Sequence, residues 1–595
     1  MRSQSLLLGN LDALKRHCRG TADWLHSQPI NPALVLNALI RNRWGLLDWP
    51  LASGKGMFEP APPIHFYQNW PVKQDEKPTA TIIIGCNLGY GLNHLLANIP
   101  NTDKVFVVEP RAEMMIACLG LNDYRPFLST QKLFFLPPDE TQISHTIFSE
   151  LDLYFEFGRI LMRGDLPSQQ LGPDYARWCQ KCEEILDDFR LDMNTIRGLQ
   201  NLMIQNELNN FHRALEDGSI KLLENQAKGL TAVLLGAGPS LEQFAPIIAS
   251  HHGDALLISA LQSLPALHKY GLRPHLCMAI DPTPGIKKVF DGLEPDWVKD
   301  IPLIYACKVL PEVVNAYPGP TLPMWTQEGL GPTIWKGKEP VLNDGGNVAV
   351  ALTRFLIWCG VSKIVLVGQD FAWCGEKVHA SGTEEKKTRF RPDPKKIKVL
   401  KNKEGKNIHS HATYITALRA LERTIQTLDI PVYNLYGGFA AIQGAREVTW
   451  DEILSRNILK SYEGSRDHFL CKLNEARAPI PPPAVNLHNP DWWASLAAVK
   501  KKIEKFSKKP GKKQQEIYST LNRLLNILNR NPLYRPYLLN EIFATAGILF
   551  ASREIGWKDF TFFKKILTRA QRKAREIDRN LASLPVKIHQ KAALD

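Results

Sequence analysis

The chain has 595 residues, 44% hydrophobic and 22% charged, with a formal net charge of +13. That balance suits a soluble globular protein, and the length is too great for one core, so several domains are expected. No apolar run reaches the length of a membrane span, and the apolar stretch near Met1 is too short for a signal peptide. Ten cysteines without framework spacing, including Cys179 and Cys182 as the sole C-x-x-C, suit a reducing cytoplasm.

Residues 1–70 read as short helices and loops. A Rossmann-like domain is expected over 71–215. Thr79 to Ile84 reads as a strand, Gly85-Cys86-Asn87-Leu88-Gly89-Tyr90-Gly91 as a glycine turn, and Leu92 to Asn98 as a helix. The strand from Lys104 to Val108 ends in Glu109, an acidic residue about twenty positions past the turn, where ribose hydroxyls are bound in such folds. This opening also resembles that of S-adenosylmethionine methyltransferases, but no later motif of theirs follows, so a supporting domain is expected. Helical periodicity from Asp174 to Ala227 links it to the next domain.

The central domain, 216–460, carries the most informative segment. Val233-Leu234-Leu235 reads as a strand and runs into Gly236-Ala237-Gly238-Pro239-Ser240, with a helix from Leu241. Glycines free of φ restrictions and open N–H groups at a helix start form a seat for phosphate. Strands at 255–259, 276–280 and 363–367 alternate with helices. Polar or glycine residues follow them: Asp281-Pro282, then Gly345-Gly346-Asn347 ahead of an apolar helix, then Gly368-Gln369-Asp370. This alternation predicts a doubly wound parallel sheet with its ligand at the carboxyl edge. After Ala478-Pro479-Ile480-Pro481-Pro482-Pro483, a stiff linker, residues 484–595 read as a helical C-terminal domain, with Leu521, Leu524, Leu525 and Leu528 on one face. The basic clusters Lys386 to Lys406 and Lys500 to Lys513 lack interleaved aromatics. They read as solvated faces or as attraction for an anionic ligand, and nucleic acid is not expected.

Five ordered segments resemble the motility-associated factor glycosyltransferases, a family related to 6-hydroxymethylpterin pyrophosphokinase. They are GAGPSL, GLRPHLCMAIDP, GGNVAVALTRFLIWCG, VGQDFAW with His379-Ala380, and YNLYGGFAAIQGA. The resemblance implies transfer of a sialic, pseudaminic or legionaminic type of nonulosonic acid onto protein Ser or Thr hydroxyls, flagellin above all. The stretch from His409 to Glu422 is similar to a segment of bacterial CMP-dependent sialyltransferases. There the opening histidine is the general base and a Gly-x-Gly-Pro-Ser turn holds the CMP donor. Where those enzymes have Asn between the glycines, this chain has Ala237.

Such a transfer needs a held phosphate, a base for the acceptor hydroxyl and stabilisation of the leaving nucleotide. Gly236, Gly238, Pro239 and Ser240 are the candidates for the first task. Asp281, Gly345, Gly346, Asn347, Gln369 and Asp370 are candidates to line the donor site. Histidine suits the second because its pKa lies near working pH. His409 is the first candidate on the strength of the resemblance, and His379 the second, ahead of His275 and His411. No cofactor beyond a CMP-activated sugar, and no metal, is expected. The competing readings are an ATP- and Mg-dependent pterin pyrophosphokinase, a methyltransferase, and a non-catalytic protein.

Overall fold

The computed structural model describes residues 2–71, 77–375, 377–383, 397–485, 487–508, 514–551 and 554–582. The part of the first basic cluster from Lys386 to Lys396, and Lys509 to Lys513 of the second, lie outside the described residues. The chain forms two compact units. One comprises residues 1–195 with 510–522 and 543–556, the other 196–509 with 523–542 and 557–595.

The first unit holds four parallel strands, β1 (Thr79–Ile84), β2 (Lys104–Val108), β3 (Leu133–Leu136) and β4 (Arg159–Gly164), in the order β3-β2-β1-β4. Every residue of β1 is buried, as an inner parallel strand requires. The glycine turn after β1 leads into α1 (Tyr90–Asn98). Helix α2 (Asp174–Asp217) begins in this unit and ends in the other.

The second unit is built on a nine-stranded parallel sheet. Its first six strands are β5 (Thr231–Leu235), β6 (Leu256–Ala260), β7 (Leu276–Ala279), β8 (Leu303–Ala306), β9 (Thr321–Thr326) and β10 (Val341–Leu342). After helices α3 (Leu241–His251) and α4 (Val348–Cys359) comes β11 (Lys363–Val367). A separate antiparallel hairpin, β12 (Ile397–Lys401) and β13 (Asn407–His411), precedes α5 (Ala412–Gln426), β14 (Val432–Leu435) and β15 (Arg446–Val448). The strand order is β10-β9-β8-β7-β6-β5-β11-β14-β15. Winding therefore proceeds outward in both directions from β5 and β11. The crevice between their carboxyl ends is the topological switch point, where such sheets receive ligands.

Part of the remaining carboxyl edge is covered. The second half of α2 lies over β7 and β8, where Asn206 donates to the carbonyls of Pro282 and Lys308, each at 3.0 Å. One turn on, Asn210 donates to those of Cys307 and Val309. Helix α6 (Ser465–Glu475) packs near the opposite edge, and α7 (Pro490–Phe506), α8 (Gln514–Arg530), α9 (Arg535–Phe550) and α10 (Trp557–Ala582) supply the expected helical C-terminal region. Lys573 of α10 is buried and donates to Glu541 of α9 at 2.7 Å and to Asn201 of α2 at 2.6 Å. Among the described residues, no helix is long and apolar enough to cross a membrane.

Candidate functional site

A cavity of about 200 Å³ lies at the switch point and is lined by loops from both sides of it. Among the sequence candidates, Gly236, Gly238, Asn347, Gln369, Asp370 and His379 line it; Pro239, Ser240, Asp281, Gly345, Gly346 and His409 do not.

The glycine turn is held otherwise than expected. Most of its N–H groups are spent inside the protein: Gly236 donates to the Val367 carbonyl at 2.7 Å and Gly238 to that of Gly368 at 2.9 Å. Ser240 gives both its N–H (2.7 Å) and its hydroxyl (2.6 Å) to the carboxylate of Asp370. An acidic side chain from the β11 loop thus occupies the start of α3, the place assigned above to a phosphate. Neither glycine takes a positive φ. Glycine is required because a Cβ at 238 would lie 2.4 Å from Asp370 Oδ2, and one at 236 would lie 2.3 Å from the Gly368 carbonyl. The glycines serve close approach of two protein loops. Burial pushes the Asp370 carboxyl up to about 6, against the two hydrogen bonds from Ser240.

Anion-binding capacity sits elsewhere in the same cavity. Gly345 and Gly346, both left-handed with φ of 63° and 66°, turn the chain into Asn347, which caps α4 by accepting the Ala349 N–H at 2.9 Å. Asn347, Val348 and Ala349 line the cavity, so the positive end of a 12-residue helix faces it. Gln262 and Ser263, which follow β6, line the same cavity. Ser263 is 1% exposed and its hydroxyl has no partner, as is true of the Gln262 Oε1 oxygen. Facing the cavity, these two atoms are open to a hydrogen bond from a group that enters it. No sequence motif marked them.

The histidines separate clearly. His379 lines the cavity, and its Nε2 lies 3.2 Å from the hydroxyl of Tyr414, which lines it too. Burial pushes the Tyr414 phenol up to about 12, so it stays protonated at neutral pH. His409 lies in β13, its backbone paired both ways with Trp373 at 2.8 Å and its ring 6.3 Å from the Trp373 ring. His411 caps α5 through Thr413, and His275 sits at the other edge of the sheet. The His409 to Glu422 segment does reach the site, through Tyr414.

The remaining carboxylates are engaged by the protein. Asp281 accepts the Thr283 N–H at 2.8 Å in a local turn, the plain alternative to a sugar contact. Asp344 pairs with Lys308 at 2.6 Å, both nearly buried. In the first unit, Glu109 is fully buried and accepts from Cys86 N–H (2.7 Å), Tyr175 hydroxyl (2.7 Å) and Arg111 N–H (3.0 Å). It is turned inward to hold the Gly85 turn, not outward to a ribose. Above that turn Asp165 accepts from Tyr67 (2.8 Å) and Asn87 (3.0 Å), and a Cβ at Gly85 would lie 2.9 Å from the Ser168 side chain.

Comparison with known proteins bears on the fold and the family resemblance. Residues 205–376 match the model of the 6-hydroxymethylpterin diphosphokinase MptE-like family. The whole fold is similar to that of the Maf glycosyltransferase from Magnetospirillum magneticum AMB-1, with a TM-score of 0.57 and 16% identity. That match covers 98% of this chain and 96% of the other. A search of curated protein sequences finds no match. Both findings bear out the resemblance read from the five central motifs.

Proposed function

We propose that the protein is a glycosyltransferase, moving a nonulosonic acid from a CMP-activated donor to a Ser or Thr hydroxyl of an acceptor protein, with flagellin the first acceptor to assay. The observation that carries this reading is the switch-point cavity itself. The α4 N-terminus, Ser263, Gln262 and the hydrogen-bonded His379–Tyr414 pair all line it.

In this reading the donor phosphate rests against the first turn of α4, and the Ser263 hydroxyl donates to it. His379 takes the acceptor proton while the acceptor oxygen bonds to the anomeric carbon and the bond to the phosphate oxygen breaks, releasing CMP. Tyr414, a phenol at neutral pH, fixes the imidazole ring. The choice of His379 over His409 follows from position, since the former lines the cavity and the latter is stitched to Trp373.

The pterin pyrophosphokinase reading draws on the name of the matching family model. It needs carboxylates for Mg, whereas Asp370, Asp281 and Asp344 are committed to Ser240, Thr283 and Lys308. Steady-state transfer with CMP-activated nonulosonic acids tests the proposal. His379→Ala should lower the rate by about 10²–10⁴ while leaving CMP affinity nearly unchanged. His409→Ala should stay near wild type, and the reverse ranking moves the base to the hairpin. Mg-dependent ATP consumption without any CMP binding would replace the reading altogether.

A further inference from the structure

The amino edge of the central sheet carries a second cavity, of about 550 Å³, that sugar transfer does not use. Arg273 and His275 precede β7, Lys299 and Asp300 precede β8, and Asn474 and Arg477 come from the end of α6 and the residues after it. Between them lies an apolar floor that includes Ile301 and Leu473.

The lining carries three cations, Arg273, Lys299 and Arg477, and one carboxylate, Asp300. Arg273 lies 3.3 Å from Asp300, Lys299 pairs at 3.6 Å with the exposed Asp296, and Arg477 donates to the Asn474 side chain at 3.2 Å. His275 adds a neutral donor of fixed polarity. Its Nδ1 accepts the Leu257 N–H at 2.9 Å, which leaves the ring proton on Nε2. Burial, then repulsion from Arg466 and His252, brings the ring down to about 4. Guanidinium and ammonium groups around an apolar floor match a ligand with a doubly charged phosphate on a small carbon skeleton.

We infer that this cavity is a second ligand site, taking a small phosphomonoester and independent of the donor cavity. Calorimetry on the full chain, without CMP, tests it with ribose 5-phosphate, inorganic phosphate and ribose as probes. Ribose 5-phosphate should bind at one saturable site, inorganic phosphate should compete, and neutral ribose should not bind. Arg273→Ala combined with Arg477→Ala should weaken ribose 5-phosphate about tenfold or more. Both arginines are exposed, so the double variant should melt like wild type. Absence of saturable binding, equal binding by the double variant, or loss of binding in Ser263→Ala would each overturn the inference. Failure of CMP to bind in a separate titration would count against the donor reading and leave this site standing.

Discussion

Two glycine turns of this protein follow parallel strands, and the sequence around them looks alike. In both, a buried carboxyl from the neighbouring strand's loop clamps the turn: Glu109 takes the Cys86 N–H, and Asp370 takes that of Ser240. What differs is the space beside the clamp. Around Gly85, the side chains of Tyr67, Asp165 and Ser168 fill it. Around Gly236, the loop after β6 and the start of α4 leave a cavity, although an unpartnered hydroxyl stands at both turns, Ser263 here and Ser168 there. A glycine turn therefore reports that two loops approach closely, and the residues arriving from other strands decide whether a ligand fits.

The comparison can be broken most forcefully at Gly238. A Val there would press its Cβ against Asp370 and the Gly368 carbonyl, and should cost about 3 kcal/mol or more by thermal or denaturant unfolding. A stable Gly238→Val protein would show that the clamp is not what requires glycine.

The clamp carboxyls give a pH signature. Burial pushes Glu109 up to about 7 from 4.5, against the hydrogen bonds from Cys86, Tyr175 and Arg111. The folded form then binds more protons than the unfolded one between those values. Stability should fall as pH rises from 4.5 through 7 and level off above, by an amount on the order of 3 kcal/mol. Melting curves from pH 5 to 8 should show a flatter profile for Glu109→Gln. Parallel profiles for the two proteins would remove the carboxyl from the account.

Ser240→Ala removes a hydroxyl bonded to a buried carboxyl and should cost about 1.5–3 kcal/mol of stability. CMP affinity should change little, whereas a direct phosphate ligand would lose affinity first. Ser263→Ala should do the opposite. CMP binding should weaken by about 0.5–1.5 kcal/mol, with stability unchanged or raised, since the lost hydroxyl has no protein partner.

Much of this was legible in the sequence because it depends on local pattern. The apolar runs became strands, the doubly wound sheet formed, and Asn347 capped the helix after Gly345-Gly346. The partners were not legible, because they arrive from afar. Asp370 reaches Ser240 across 130 positions, and Asn206 of α2 seals carbonyls 76 and 102 positions away. Gln262 and Ser263 belong to no motif, and their importance appears only as unpartnered atoms. In the segment opening at His409, pairing with Val399 in the hairpin and with Trp373 beyond it holds that residue away from the cavity lining, while Tyr414 faces the cavity.

Hydrogen exchange of the full chain with and without CMP tests the central contrast most directly. CMP should slow exchange in the segments at 261–263 and 347–352 and around His379, and leave 85–91 unchanged. Protection at 85–91 with none at 261–263 and 347–352 would contradict it, and would place the nucleotide in the turn that the protein's own side chains fill.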